Sequence, residues 1–202
     1  MGDVSQKHAA VLVPLFEDPR TRAPHVILTE RTSTLRAHGG EVSLPGGKRD
    51  EEDADDVATA LRESHEELGL DPRSVQVLGT LRPFLSKYLL SVTPVLAAIP
   101  ARHAFRPNPE EVDSVFACPL DFFLRAAQHR SHDTELVPGT PYRVHFFDYT
   151  DHDGRTYCVW GLTAAMLIEV ARLAYGREPE FEPLPFGYRA LTADMFTGSQ
   201  MR

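Results

Sequence analysis

Apolar residues recur along this chain in short blocks, and Pro, Gly and charged residues separate the blocks. Ala9–Phe16 and His25–Arg31 read as strands joined by a polar, Pro-bearing loop at 17–24. A Gly-punctuated loop, Leu35–Gly47, then feeds a helix over about 54–68. Val75–Pro83 and Leu89–Ile99 read as further strands, with Phe84–Tyr88 between them. Pro100–Pro109 is a Pro-rich excursion, after which strand-like Val112–Cys118 resumes. Asp121–His129 is expected to be helical after Pro119. Arg143–Tyr149 and Arg155–Trp160 read as a hairpin around the Asp151–Gly154 turn. Thr163–Tyr175 is strongly helical, with an apolar stripe of Ala164, Leu167, Ile168, Ala171 and Ala174. The tail after Gly176 reads as irregular. There are no internal repeats and no sign of a second domain, so periodicity alone predicts one α/β domain.

The 54–68 segment carries the chemistry. At roughly 100° per residue, Val57, Leu61, Ser64 and Leu68 form a narrow stripe that should face a core. Glu63, Glu66 and Glu67 are related by i, i+3 and i+4 and are expected together on the other side. Like charges that close repel by a few tenths of a kcal/mol per pair on an exposed helix. A bound cation removes that penalty, and Mg²⁺ suits a few carboxylates that leave room for water and phosphate. Arg62 lies one turn before Glu66, placed to orient or shield that carboxylate. Asp53, Asp55 and Asp56 lie near the helix start, where the macrodipole favours negative charge. Gly69 reads as the stop.

Read as one string, Gly46-Gly47, Arg62-Glu63-x-x-Glu66-Glu67-x-Gly69 and Leu70 resemble the Nudix box, the Gly-x5-Glu-x7-Arg-Glu-U-x-Glu-Glu-x-Gly-U pattern of the Nudix hydrolases. Gly47 to Arg62 is one residue longer than the general pattern, Asp53 or Glu52 stands in for its first Glu, and Ser64 replaces an aliphatic residue or Ala. Just upstream, residues 27–47 resemble the second motif of one Nudix branch, the coenzyme A diphosphatases, with matches at Leu28, Thr29, Arg31, Arg36, Gly40, Pro45, Gly46 and Gly47. Segments 84–95, 107–112 and 160–164 fit that branch too, so the likeness covers about residues 8–182 and is nearest to eukaryotic, plant-like members. The resemblance implies the Nudix fold, a mixed β-sheet between α-helices, as a single domain over 1–202.

It also implies the chemistry, a Mg²⁺- or Mn²⁺-dependent cleavage of a diphosphate. Glu63, Glu66 and Glu67 are expected as metal ligands, with the Gly46 carbonyl as a further one. A general base must reach the attacking water: Glu66 is the first choice and Glu111 the runner-up, with Arg62 supporting. Arg31, Arg36, Gly47 and Lys87 are candidates for holding the substrate's anionic groups, since a planar guanidinium grips two phosphate oxygens at once. The expected substrate is coenzyme A or an acyl or oxidised form, cut to 3′,5′-ADP and 4′-phosphopantetheine. The alternatives are another nucleoside diphosphate derivative, such as NADH, ADP-ribose or an oxidised nucleotide, and a non-catalytic sensor. A sensor should have lost a box carboxylate, and all three are present.

Composition narrows the partners. The formal net charge is −8 over 202 residues with no basic run, which argues against a nucleic-acid partner. An acidic protein acting on an anion must screen its own field locally, with metal and with Arg or Lys near the cleft. Cys118 and Cys158 belong to no C-x-x-C or Cys/His cluster and are expected as buried free thiols. No stretch approaches the roughly 20 apolar residues of a membrane span. The absence of signal, myristoylation and peroxisomal patterns favours the cytosol, with a mitochondrial or peroxisomal site open if a targeting segment has been removed. A homodimer is compatible with the sequence but not legible in it.

Overall fold

The structure is a computed structural model, and it describes residues 8–33, 39–86, 90–137 and 139–185. Arg36 and Lys87 lie outside the described residues. Eight strands form one mixed sheet: β1 (His8–Glu17), β2 (Pro24–Arg31), β3 (Val42–Ser43), β4 (Gly46–Lys48), β5 (Gln76–Thr80), β6 (Phe84–Leu85), β7 (Ser91–Ala98) and β8 (Val112–Pro119). The main path runs β3-β2-β1-β7-β5, with β4 on β1, β6 on β7 and β8 on β2. β1 and β7 are parallel and the other pairs antiparallel. A second, three-stranded antiparallel sheet is ordered β11-β10-β9: β9 (His129–Val137), β10 (Thr140–Thr150) and β11 (Thr156–Trp160). The helices are α1 (Asp56–Leu68) and α2 (Gly161–Tyr175).

β1 shows why the layers form. Its side chains alternate across the pleat, so Ala9 and Val13 enter one core while Ala10 and Leu12 enter the other. The first core is closed by α2 through Ala164, Met166, Leu167 and Ala171, together with Phe116, Phe123 and Phe147. The second is closed by α1 through Ala60 and Leu68, against Ile27, Val95 and Ala97. A mixed sheet thus lies between helices, the α/β layering the resemblance implies.

Three expectations need correction. Asp121–His129 is not a helix: a short 3-10 turn covers Leu120–Leu124, and β9 starts at His129. β9, His-Arg-Ser-His-Asp-Thr-Glu-Leu-Val, is mostly exposed and lacks a strand's usual apolar alternation; its partner β10 supplies the pairing from Arg143↔Asp133 to Phe147↔His129. The Val75–Pro83 strand is shorter, Gln76–Thr80, and all of it is exposed. On α2, Ala174 is exposed, and the buried face is Ala164, Met166, Leu167, Ile168, Val170 and Ala171. The 143–160 hairpin and the free state of both cysteines agree with expectation, although Cys158 is only half-buried.

Candidate active site

The site is built on the glycine turn and α1. β1 shares one edge between two partners: β2 pairs with Leu15–Glu17 and β4 with Ala9–Val11. β4 carries the turn, so Gly46 is pressed against β1. Its φ is +154°, and a Cβ there would lie 2.4 Å from the Ala10 carbonyl oxygen and 2.5 Å from Val11 Cα. Only glycine fits that combination of close approach and backbone angle. Gly47 is constrained from the opposite side, for a Cβ on it would sit 2.4 Å from Glu63 Oε1. The turn backbone and the Glu63 carboxylate therefore touch.

α1 begins with Asp55 as N-cap, whose carboxylate accepts from the Ala58 N–H at 2.8 Å. It ends at Gly69, left-handed at φ 65°, as the sequence predicts. Beyond it, the loop at 105–111 doubles back, and the N–H groups of Arg106 and Asn108 donate to the Leu68 and Glu67 carbonyls at 2.8 and 2.9 Å. Those bonds satisfy carbonyls that a helix end leaves open and lay the loop beside the glutamates.

The stripe of Val57, Leu61, Ser64 and Leu68 faces the core, but the three glutamates are not all on an outer face. They descend from solvent inward: the Glu66 side chain is 51% exposed, Glu63 17% and Glu67 2%. Glu67 accepts from Arg31 Nη1 at 3.4 Å and from the Gly46 N–H at 3.3 Å. Burial pushes its carboxyl up to about 7, with Arg31 opposing and Glu63 adding to the rise. Burial also raises Glu63, opposed by Arg62. Glu111 is among the charges that push both carboxyls up, so the loop brings it to face the pair; its Oε1 accepts from Asn108 Nδ2 at 3.1 Å.

Arg62 is the hub. It donates to Glu63 Oε1 and Glu66 Oε2, each at 3.1 Å, and to the Lys48 carbonyl at 3.1 Å. It also grips Asp53 with two bonds, at 3.0 and 2.9 Å. Asp53 is buried and takes further bonds from the Asp50 N–H and the Thr59 hydroxyl; the Arg62 bonds above all hold its carboxyl well below the usual range. One guanidinium thus ties the 48–53 loop to the helix and sets the rotamers of two glutamates. Asp53, which with Glu52 was a candidate for the first Glu of the box pattern, bonds Arg62 rather than pointing at the glutamates.

The donor set suits a hard divalent ion: three carboxylates and backbone carbonyls, with one carboxylate so buried that its charge is poorly compensated. Among the described residues, however, no three His, Cys, Asp or Glu side chains converge as a preformed cage. Arg62 and Arg31 hold the carboxylate oxygens instead. The structure therefore brings together Arg31, Gly46, Gly47, Arg62, Glu63, Glu66, Glu67 and Glu111. Asn108 was not expected; the signal for it was its place in Pro-Asn-Pro-Glu-Glu, where an amide side chain closes the turn onto Glu111.

Residues 6–139 match the NUDIX domain family. Nudix hydrolase 15, mitochondrial, of Arabidopsis thaliana is 50% identical over 179 residues, covering 87% of this chain and 61% of that protein. The chain thus spans about three-fifths of the length of the plant relatives it matches. Nudix hydrolase NudL of Photorhabdus laumondii is 38% identical over 168 residues, covering 83% of this chain and 85% of the relative. The peroxisomal coenzyme A diphosphatase NUDT7 of Mus musculus is 36% identical over 180 residues, covering 89% and 75%. With the glycine turn, the Arg62 hub and the graded glutamates falling inside the matched span, the chain belongs to the Nudix family.

Proposed function

We propose that this chain hydrolyses the diphosphate linkage of a nucleoside-diphosphate-linked small molecule, and that within this class it takes coenzyme A. The observation that carries the reaction is the contact of two helix glutamates, Glu63 and Glu67, with a glycine turn, Glu67 being buried and only partly neutralised, with Glu66 held beside them by Arg62. Glu63, Glu66, Glu67 and the Gly46 carbonyl would hold Mg²⁺ or Mn²⁺. When bound, the ion supplies charge neutralisation for the phosphoryl oxygens and eases formation of a nucleophile from water.

The remaining work falls to the chain's own residues. Water attacks one phosphorus, a new P–O bond forms, and the bond to the bridging oxygen breaks. Glu66, exposed at the mouth and held by Arg62, accepts the proton of that water; Glu111, on the facing loop, is the second candidate. Arg31 reaches the buried end of the cluster beside Glu67, where its planar guanidinium would bind phosphate oxygens. Arg36 and Lys87 complete the proposed anion-binding set. Gly47 keeps the turn backbone open to the diphosphate.

Coenzyme A is favoured by the 27–47 motif, which runs from β2 into the glycine turn, and by the likeness to a relative named as a coenzyme A diphosphatase. The glutamates handle only the diphosphate, so NADH, ADP-ribose and oxidised nucleotides are the rival substrates. Turnover of coenzyme A, its 3′-dephospho form, NADH and ADP-ribose with added Mg²⁺ or Mn²⁺ decides among them, with product masses read after cleavage in ¹⁸O water. The expected result is 3′,5′-ADP plus 4′-phosphopantetheine. Loss of the 3′-phosphate should lower kcat/KM by about ten- to a hundredfold, the worth of a charged phosphate contact. Equal turnover of NADH or ADP-ribose would move the assignment to the rival class. Chelation should abolish activity reversibly, and Glu67→Gln should lower kcat at least about a hundredfold with the fold intact.

A further inference from the structure

In the loop at 105–111, Asn108 ties the end of α1 to the start of β8. It stands between Pro107 and Pro109, and a following proline holds a residue to extended backbone. Its N–H donates to the Glu67 carbonyl at 2.9 Å, and its own carbonyl accepts from the Glu111 and Val112 N–H groups at 3.0 and 2.8 Å. The side chain is used at both of its polar atoms. Oδ1 accepts from the Glu110 N–H at 3.1 Å, and Nδ2 donates to Glu111 Oε1 at 3.1 Å. The first bond is a turn that Asp or Ser can also make. The second needs the amide nitrogen.

The backbone of Glu111 is held from the other side as well. Its carbonyl accepts from the Thr32 N–H at 2.9 Å, just beyond β2. Thr32 is buried, and its hydroxyl lies 3.2 Å from the Pro109 carbonyl and 2.8 Å from an Asp113 carboxylate oxygen. With the loop backbone fixed by α1 and β2, the direction of the Glu111 carboxylate is still unset, because a glutamate side chain turns about several bonds. The Asn108 amide sets it, and the carboxylate so held faces Glu63 and Glu67. We propose that Asn108 is a positioning residue that acts on the hydrolysis through Glu111 alone. Its amide N–H holds the Glu111 carboxylate where it takes a proton from the attacking water as the new P–O bond forms and the bond to the bridging oxygen breaks. The inference rests on the hydrolase reading above and on the second of the two proton acceptors named there. An amide suits the task because it aims the carboxylate without setting a positive charge beside it.

The test is a double-substitution cycle in the full chain with Mg²⁺, run on whichever of coenzyme A, NADH and ADP-ribose the wild type turns over. Asn108→Asp has the shape of asparagine and keeps the acceptor for the turn, but it has no N–H to offer Glu111. Asn108→Ser removes the donor without adding a charge. Each should lower kcat about tenfold with KM within about twofold of wild type. Glu111→Gln should lower kcat about a hundredfold or more. Adding either Asn108 substitution to Glu111→Gln should then change kcat by no more than about twofold. A merely structural role would lower kcat by the same factor in both backgrounds. Should Asn108→Ser not fold, Asn108→Asp carries the cycle; loss of the fold in Asn108→Asp too, which keeps the turn, would assign the amide to structure and overturn the proposal. Losses that multiply, or wild-type kcat in Glu111→Gln, overturn the positioning role and leave the hydrolase reading standing. No turnover of any of the three substrates by the wild type overturns both.

Discussion

Two adjacent glycines do different jobs, and substitution separates them. A methyl on Gly46 would strike the backbone of β1 and sit on a backbone angle that side chains avoid, so neither neighbour can yield. Gly46→Ala is expected to cost roughly 3 kcal/mol or more of stability, read by chemical denaturation. A methyl on Gly47 would strike the end of the Glu63 side chain, which can swing away. Gly47→Ala should keep most of its stability and lose kcat, because the displaced carboxylate no longer meets the turn. Equal loss of stability in both variants would refute this division of labour. The glycine pair and the glutamate spacing were legible in the sequence; which glycine answers to the strand and which to the glutamate was not, because that depends on β4 pairing with β1.

α1 and the loop before it act as one element because Arg62 joins them. Removing its guanidinium leaves Asp53 buried with only the Asp50 N–H and the Thr59 hydroxyl. Arg62→Met should cost about 2–3 kcal/mol, below the range for a wholly buried pair because Arg62 is 27% exposed. It should also free Glu63 and Glu66, so metal affinity and kcat should both change. Arg62→Met combined with Asp53→Asn should recover part of the stability without recovering kcat; full additivity of the two stability losses would show that the pair is not coupled. The 54–68 helix could be read from its period and caps because those signals are local. β9 could not, because its residues are polar and mostly exposed, and only β10 alongside gives its backbone bonds a partner.

The molecule is closed by the segment after α2, which folds back over β10. The Glu180 N–H donates to the Leu124 carbonyl and the Phe181 ring stacks on His129 with centroids 3.6 Å apart. The Pro183 carbonyl accepts from His145 Nε2 at 2.9 Å. That last bond fixes the proton on Nε2, so neutral His145 offers Nδ1 as acceptor to His129 Nε2–H, 2.9 Å away. Burial lowers His145 despite the Pro183 carbonyl and, with His145 and Arg143 adding to it, brings His129 down to about 4. The unfolded chain takes up protons at these sites near the ordinary histidine value of about 6.5. Between about 6.5 and 4 the unfolded state then binds more protons, so stability should fall as pH drops through that window. Thermal melts from pH about 7 to about 5 should show Tm falling by a few degrees more in wild type than in His129→Gln. The difference isolates the histidines from Glu67, whose raised carboxyl acts in the opposite direction. An equal pH slope in both would remove the pair from the account.

What could be read directly along the chain were the features written in near neighbours: the glycine turn, the carboxylate spacing, the helix caps and the hairpin. Each depends on contacts within a few residues or on a fixed helical period. The burial of Glu67, the approach of Glu111 and a cavity of about 510 Å³ beside α2 could not be read there. They arise where segments distant along the chain meet: β2 and the 105–111 loop around α1, and β6, β9, β10 and residues 183–185 around α2. How deep a carboxylate sits, and what empty space lies beside it, is a property of packing between elements, and packing leaves no period in the sequence.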